Sequence, residues 1–272
     1  MYQLSEIWIY PIKSLGGISL PEARVELRGL QYDRRWMLTD RSGQFLSQRE
    51  NGTLALLRTG FDTGNLLVWH VEYPDEVLRI PLGLPESMLN ETTVKIWSDE
   101  VAVQQMPEEF GAWFSEVLKQ PVQLTFMPET AQRHTDRKYA PDGQFVSFAD
   151  GYPFLLIGQA TLDDLNSRME HPIPMNRFRP NFVVTGSTPF EEDSWSDFTI
   201  GGIHFRGVKP CARCAIPTID QRTGFRGVEP TRTLATFRKS ENKILFGQNV
   251  IYLDTPGKVV SIGDVVQVNL AD

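Results

Sequence analysis

Short runs in which apolar and polar residues alternate dominate the first hundred positions of the chain. In the run 23–27, apolar residues occupy one face and charged residues the other, which is the pattern of a half-buried strand. Runs 93–97 and 101–105 flank the polar residues 98–100 and predict a hairpin. Many short strands at close spacing favour an antiparallel barrel or sandwich.

Helical spacing first appears after this strand-rich region. Apolar residues recur three and four positions apart from Phe110 to Leu118 and form one stripe on a predicted helix, which ends before Pro121. Two further helices are predicted over residues 159–169 and 231–239. The strands predicted around them include 181–185, 198–200, 215–219 and 250–253.

These elements predict a mixed α/β fold that is mainly β. The change from strands alone to strands with helices predicts two domains, residues 1–105 and residues 106–272. The 21 glycines and 18 prolines agree with a strand-rich chain that contains many turns.

Composition and charge exclude several classes of protein. The chain has 272 residues, 41% of them hydrophobic, and a formal net charge of −7, which is typical of a globular protein and argues against broad nucleic-acid binding. Its apolar runs are far shorter than a membrane span, and Glu6 and Lys13 interrupt the N-terminal region where a secretory signal would need an unbroken apolar stretch. We therefore expect a cytoplasmic protein with neither a nucleic-acid nor a membrane partner.

Cys211 and Cys214, the only two cysteines, leave four interpretations open. A structural zinc site needs four ligands, and His204 supplies at most a third. A redox pair of the thioredoxin type should open a helix, whereas the residues that follow read as a strand. The third interpretation is that both cysteines are small buried side chains. The fourth is that one thiolate binds a soft metal, and the positive charges of Lys209 and Arg213 would favour the thiolate form by lowering the thiol pKa.

Basic clusters are spread along the chain in a way that suits an anionic organic cofactor. They include Tyr10-Pro-Ile-Lys-Ser14, Tyr32-Asp-Arg-Arg-Trp36 and Asn176-Arg-Phe-Arg-Pro-Asn181. A guanidinium group donates two parallel hydrogen bonds to phosphate. Taken singly, each cluster is explained more simply by solvated or salt-bridged side chains.

The order of these segments resembles the MOSC family, specifically the branch that carries an N-terminal β-barrel module and includes the mitochondrial amidoxime-reducing component and its bacterial relatives. The resemblance rests on the first two basic clusters followed by Phe148-Ala-Asp-Gly-Tyr-Pro153, Phe178-Arg-Pro-Asn181, Glu192-Asp-Ser-Trp195, Lys209-Pro-Cys-Ala-Arg-Cys214 and Phe246-Gly-Gln-Asn249. It covers nearly the whole chain. The fold that it implies is a β-barrel-like module followed by a MOSC domain built as an α+β structure around a strand barrel.

The resemblance implies a molybdenum cofactor, a pyranopterin with a dithiolene and a terminal phosphate. Cys214 would ligate molybdenum, and a thiolate suits this soft metal site. Cys214 and Arg213 would be the catalytic residues. The cofactor-binding residues would be Lys13, Ser14, Arg34, Asp150, Gly151, Arg179 and Asn181, with backbone donors alone expected from the Asp150-Gly151 loop.

The implied activity is the reduction of N-hydroxylated compounds, such as hydroxylamino bases and amidoximes. The electrons would come from a separate protein, a flavin reductase or a ferredoxin, because no cysteine follows Cys214 to hold an iron–sulfur cluster. The alternative is a cofactor-binding module or a persulfide sulfur carrier without reductase activity. Pyridoxal phosphate binding is not expected, since the chain shows no fused desulfurase.

Overall fold

The computed structural model describes residues 1–268, so the last four positions of the predicted second domain lie outside it. The prediction of a mainly β, mixed fold is confirmed. The first half contains β1 (Tyr2–Ile9), β2 (Ile18–Leu20), β3 (Glu22–Glu26), β4 (Gly29–Leu30), β5 (Trp36–Thr39), β6 (Leu57–Asp62), β7 (Asn65–His70), β8 (Tyr73–Pro81), β9 (Asn90–Ile96), β10 (Asp99–Gln105), α1 (Glu108–Leu118) and β11 (Gln123–Phe126). The second half contains β12 (Phe154–Gly158), α2 (Gln159–Ser167), β13 (Phe182–Thr185), β14 (Asp197–Ile200), β15 (Ile203–Ala212), α3 (Thr231–Leu234), β16 (Lys239–Ser240), β17 (Lys243–Tyr252), β18 (Val259–Ser261) and β19 (Val265–Val268).

The largest sheet closes into a barrel of seven strands within the described part of the chain. Its order is β12-β13-β1-β19-β14-β15-β17, and β17 pairs back onto β12. Aromatic side chains fill its interior: Phe154, Phe182, Trp195, Phe198, Phe205 and Tyr252 are all buried. Burial of such large apolar surfaces is the main term that stabilises the barrel.

The N-terminal module packs around a second core. Strands β5, β11, β10 and β9 form one sheet and β6, β7 and β8 another. Helix α1 covers this core with Phe110, Phe114 and Leu118, as the apolar stripe predicts. It ends at Leu118 because Lys119 adopts the left-handed conformation, with φ 54°.

Several strand pairings of the described residues cross the predicted division at residue 105. The first strand of the chain, β1, pairs with β13 and β19 of the barrel, and β11 pairs with β5 and β10 of the N-terminal module. The two modules therefore share strands, and the boundary at residue 105 stays a prediction.

Three local predictions need correction. Residues 215–219 are not a strand: Ile216–Thr218 form a 3-10 turn, which Pro217 favours because its ring fixes φ near the helical value. The third helix spans only Thr231–Leu234 rather than 231–239, because Lys239 already pairs with β17. The second helix ends at Ser167, two residues early. The hairpin predicted over 93–105 is confirmed as β9 and β10.

No helix within residues 1–268 combines the length and the apolar character that crossing a bilayer requires.

Candidate active site

One cavity, part of it open to solvent, is lined by every predicted site residue. Its walls come from the loops that follow β1 and β4, from the segment before β12, from the loop before β13 and from the end of β15. The predicted residues that line it are Lys13, Ser14, Arg34, Asp150, Gly151, Arg179, Asn181, Arg213 and Cys214. Segments from both modules therefore meet at one place, although their roles there are a prediction.

Lys13 is a buried cation at the base of the cavity. Its side chain is 6% exposed, and its Nζ donates hydrogen bonds to the Phe148 carbonyl and to Asp150 Oδ1, both at 2.7 Å. Burial lowers the pKa of Lys13, and the negative charge of Asp150 only partly opposes this. The neighbouring Ser14 has φ 71°, so the backbone turns sharply just after the lysine.

Asp150 joins Lys13 to a second cation, Arg49, which sequence reasoning missed. Arg49 Nη2 donates to Asp150 Oδ2 at 2.8 Å and also contacts Cys214 Sγ at 3.4 Å. Partial burial would raise the pKa of Asp150, but the charges of Lys13 and Arg49 outweigh it and hold this pKa well below the usual range. Asp150 is therefore ionised at any pH near neutrality.

Replacing Asp150 with asparagine should destabilise the cofactor-free protein by about 1–2 kcal/mol at pH 7, because it leaves the buried Lys13 without its counter-charge. Since the folded pKa of Asp150 is lowered, its contribution is fully present above the ordinary aspartate pKa of about 3.9 and is lost only at lower pH. Urea unfolding of both proteins from pH 7 to pH 4.5 should therefore give a constant difference. The exposed Asp75→Asn variant is the control, and a difference that disappears by pH 5 would contradict this assignment.

Arg34 is held in place by groups of the chain itself. Its Nη1 donates to the buried carboxylate of Asp33 at 2.6 Å and to Asn181 Oδ1 at 3.1 Å, and its Nη2 donates to the Arg179 carbonyl at 3.1 Å. Asp33 also accepts the Tyr10 backbone N–H. A guanidinium fixed in this way is preorganised, so little side-chain entropy is lost when an anion binds it.

Arg179 brings a further cation to within reach of Arg34. Both guanidinium groups lie over the ring of Tyr10, at 4.1 and 4.3 Å from its centroid, and Arg179 Nη1 donates to the Leu15 carbonyl at 2.6 Å. Burial, together with the positive charge of Arg34, lowers the pKa of Arg179 to about 10. The positive charge of Arg179 is therefore only partly balanced by negative groups of the protein, and a bound anion would stabilise its charged form.

The two thiols are free and half-buried, and a different arginine contacts each. Arg213 Nη1 lies 3.2 Å from Cys211 Sγ, whereas Cys214 faces Arg49. Arg213 Nη2 donates to the Phe178 carbonyl at 2.7 Å, while its buried Nε has no partner within residues 1–268. A donor that is buried and unpaired in a cavity wall fits a site whose ligand completes it.

A zinc site built from protein side chains finds no support in the described residues. No group of three or more histidine, cysteine, aspartate and glutamate side chains within positions 1–268 is arranged to hold a metal ion. His204, the third ligand considered, instead lies 3.2 Å from Asp197. A metal at Cys214 would need most of its ligands from a bound organic group.

The loop that carries Asp150 and Gly151 is fixed from behind by Arg133, a second residue that sequence reasoning missed. Arg133 donates to the Ser147 carbonyl at 2.8 Å and to the Asp150 carbonyl at 3.1 Å. Among residues 1–268, apart from its chain neighbours, no heavy atom lies within 4 Å of the point where a Cβ of residue 151 would stand, so the backbone there is open to a ligand. The irregular segment 128–145 thus supplies a structural support for the site.

The charge of the cavity is opposite to that of the chain. Within the described residues 1–268, its lining contains five cations and one carboxylate, Asp150, whereas the formal net charge of the chain is −7. The cations are Lys13, Arg34, Arg49, Arg179 and Arg213. Such a lining favours a multiply charged anion such as a phosphate ester, and a thiol lies in the same wall.

Comparison with known protein families agrees with the two-module barrel and its cationic cavity. Residues 1–121 match the model of the MOSC N-terminal beta barrel domain, and residues 143–267 match that of the MOSC domain. The chain belongs to the MOSC family.

Individual relatives fall into two groups. The human mitochondrial amidoxime-reducing component 1 is 31% identical over 97% of this chain and 82% of its own length. A molybdenum cofactor sulfurase of Oryza sativa subsp. japonica is 32% identical over 92% of this chain, which spans only 32% of that protein. Among solved structures, the YUAD protein from Bacillus subtilis aligns with 98% of this chain and with 94% of its own chain, at 10% identity. The TM-score is 0.44.

Proposed function

We propose that this chain binds a molybdenum cofactor in the cationic cavity and reduces N-hydroxylated compounds. The observation that carries the proposal is the convergence of buried cations from both modules on one cavity whose wall also contains the Cys214 thiol. The match to amidoxime-reducing components over nearly the whole chain supports the same activity.

The residues present fit this cofactor. Cys214 would be the protein ligand of molybdenum, because a thiolate suits a soft metal whose other ligands are sulfur. The cavity cations would hold the terminal phosphate, and Asn181 and the backbone at Asp150 and Gly151 would offer hydrogen bonds to the pterin. When bound, the cofactor would supply the redox chemistry, while the protein supplies orientation, electrostatics and access.

Arg213 is proposed as the catalytic residue that orients the substrate. Its guanidinium is fixed by the Phe178 carbonyl, Arg213 lines the cavity, and its buried Nε has no hydrogen-bond partner within residues 1–268. A positioned N–H donor of this kind can hold the hydroxyl oxygen of a substrate against the reacting centre.

The overall reaction consumes two electrons and two protons for each substrate: R–NHOH becomes R–NH2 and water. With two cysteines, this chain lacks the four thiolates that an iron–sulfur cluster normally needs. We therefore propose that a separate protein, a flavin reductase or a ferredoxin, delivers the electrons, one or two at a time.

Protein produced in a host that makes the cofactor should turn over 6-hydroxylaminopurine to adenine when dithionite is the reductant. The measurement is chromatographic quantification of adenine against molybdenum content, and the cofactor-free protein is the control. A lack of turnover at full molybdenum occupancy would contradict the reductase proposal.

A second candidate function is a sulfur carrier or cofactor-handling module, and the match to the sulfurase from rice favours it. In that case Cys214 or Cys211 would carry a persulfide. Mass spectrometry of the isolated protein separates the two: a mass increase of one sulfur atom on Cys214, together with no molybdenum, supports the carrier and contradicts the reductase.

A further inference from the structure

An exposed turn lies directly after the cysteine segment and presents apolar side chains to solvent. Within residues 221–228, Phe225 is 73% exposed and Val228 is 61% exposed. Trp97, at the tip of the hairpin between β9 and β10, is 45% exposed and has φ 56°. Trp97 opens the two-residue turn between Ile96 and Asp99, and the positive φ is what such a tight turn requires, so the turn holds the indole at the surface.

This turn is rigidly attached to the body of the protein. The buried Arg177 donates from Nε to the Pro217 carbonyl at 2.7 Å and from Nη2 to the Glu229 carbonyl at 3.4 Å, and so holds both ends of the turn. The side-chain amides of Gln48 and Gln221 donate to each other, at 3.3 and 3.1 Å. Exposed apolar residues on a fixed support lose little conformational entropy when a partner binds.

The turn is connected to the cavity through Arg49. Arg226 Nη1 lies 3.5 Å from the Arg49 carbonyl, and the side chain of Arg49 reaches Cys214. The guanidinium of Arg49 also lies over the ring of Trp97, 4.5 Å from its centroid. Trp97 and Arg226 both contact Arg49, and Arg49 in turn contacts the Cys214 sulfur.

The turn 221–228 is positively charged although the chain is acidic. Residues 221–228 contain two exposed arginines, Arg222 and Arg226, and no carboxylate. The flanking carboxylates are engaged within the chain. Asp220 accepts backbone N–H groups of the turn and lies 3.5 Å from Arg177 and 3.9 Å from Arg222, whose side chain is 88% exposed. Glu229 accepts from Arg232. Arginine and aromatic residues are the types that contribute most to protein interfaces.

We infer that these residues, Trp97, Arg222, Phe225, Arg226 and Val228, form a docking patch for a small acidic redox protein that supplies electrons to the cavity. This inference rests on the proposed reductase function and specifies the face that its electron donor uses. Opposite charges steer a donor to the patch, and the apolar side chains hold it there. A second copy of this chain fits less well, because a two-fold contact would bring Arg222 and Arg226 against their own counterparts.

The test uses the cofactor-loaded protein, an acidic [2Fe–2S] ferredoxin as donor and 6-hydroxylaminopurine as substrate. For the Arg222→Glu/Arg226→Glu double variant we expect the KM for ferredoxin to rise at least tenfold and its salt dependence to weaken, and Phe225→Ala should raise it severalfold. Dithionite-driven turnover should be unchanged, because these residues do not line the cavity. The matched control is Arg79→Glu/Tyr73→Ala on β8, where both residues are also exposed.

A direct binding measurement keeps this inference separate from the proposed function. Calorimetric titration of ferredoxin into wild-type protein should show salt-sensitive binding that the double variant loses, whether or not turnover occurs. Three results would overturn the docking patch: no ferredoxin binding by the wild type, equal effects of the patch and control variants, or a change in sedimentation showing that the patch joins two copies of this chain. If the protein binds ferredoxin but does not turn over substrate with dithionite, that result would contradict the reductase function and leave the docking patch standing.

Discussion

The Cys214→Ser variant is expected to lose turnover with dithionite and to retain little molybdenum. A serine hydroxyl is a hard, neutral oxygen, whereas the proposed site requires a soft anionic sulfur. Cofactor-free protein should change its melting temperature by no more than about 2 °C, since the replacement is nearly isosteric and the thiol is half-buried. Metal analysis, turnover and thermal unfolding check the three parts of this prediction.

The Cys211→Ser variant is the matched control because it alters the other thiol of the same segment. It should keep molybdenum, since Cys211 is not the predicted ligand. Equal loss of metal in both variants would mean that both sulfurs bind it. Full metal retention by Cys214→Ser would remove the basis for assigning Cys214 as the ligand.

The Arg179→Gln variant should lower cofactor affinity by about 10- to 100-fold, because one charge-assisted contact to an anionic group contributes about 1.5–3 kcal/mol. The free energy of unfolding of the cofactor-free protein should change by less than about 1 kcal/mol. Loss of the bond to the Leu15 carbonyl destabilises the fold, while removal of an undercompensated buried charge offsets that loss.

The measurement is equilibrium binding of the released cofactor to cofactor-free protein, followed by pterin fluorescence. Arg168→Gln, at the exposed C-cap of α2, is the charge-matched control and should bind normally. If Arg179→Gln binds as tightly as the wild type, Arg179 does not contact the anion. If it unfolds the protein, Arg179 is a structural residue first.

Local patterns predicted the individual elements well. The stripe from Phe110 to Leu118 predicted α1 because helical periodicity depends on residues three or four positions apart. Strands β9 and β10 followed from alternation and a short turn between them. The segment 215–219 was misread as an extended strand interrupted by proline, whereas Pro217 favours the observed 3-10 turn.

The candidate site was predictable only through the resemblance of several ordered motifs to one family. No single basic cluster distinguished a cofactor ligand from a solvated arginine. Arg49 escaped notice because its local sequence, Ser47-Gln48-Arg49, resembles any polar loop. Its place beside Cys214 joins residues 165 positions apart, and such a contact leaves no periodic signal in the chain.

The amino-acid sequence by itself determined the β-rich character, the first two helices and the set of residues expected to meet the cofactor, because these depend on short-range patterning and on an ordered set of motifs. Only the tertiary structure decided that β1 completes the C-terminal barrel, that Arg49 joins Asp150 to Cys214, and that the 221–228 turn stands beside the cavity. The physical reason is that burial, ion pairing and shifted pKa values depend on groups that folding brings together. The number of residues between two such groups does not reveal how close they lie in the folded protein.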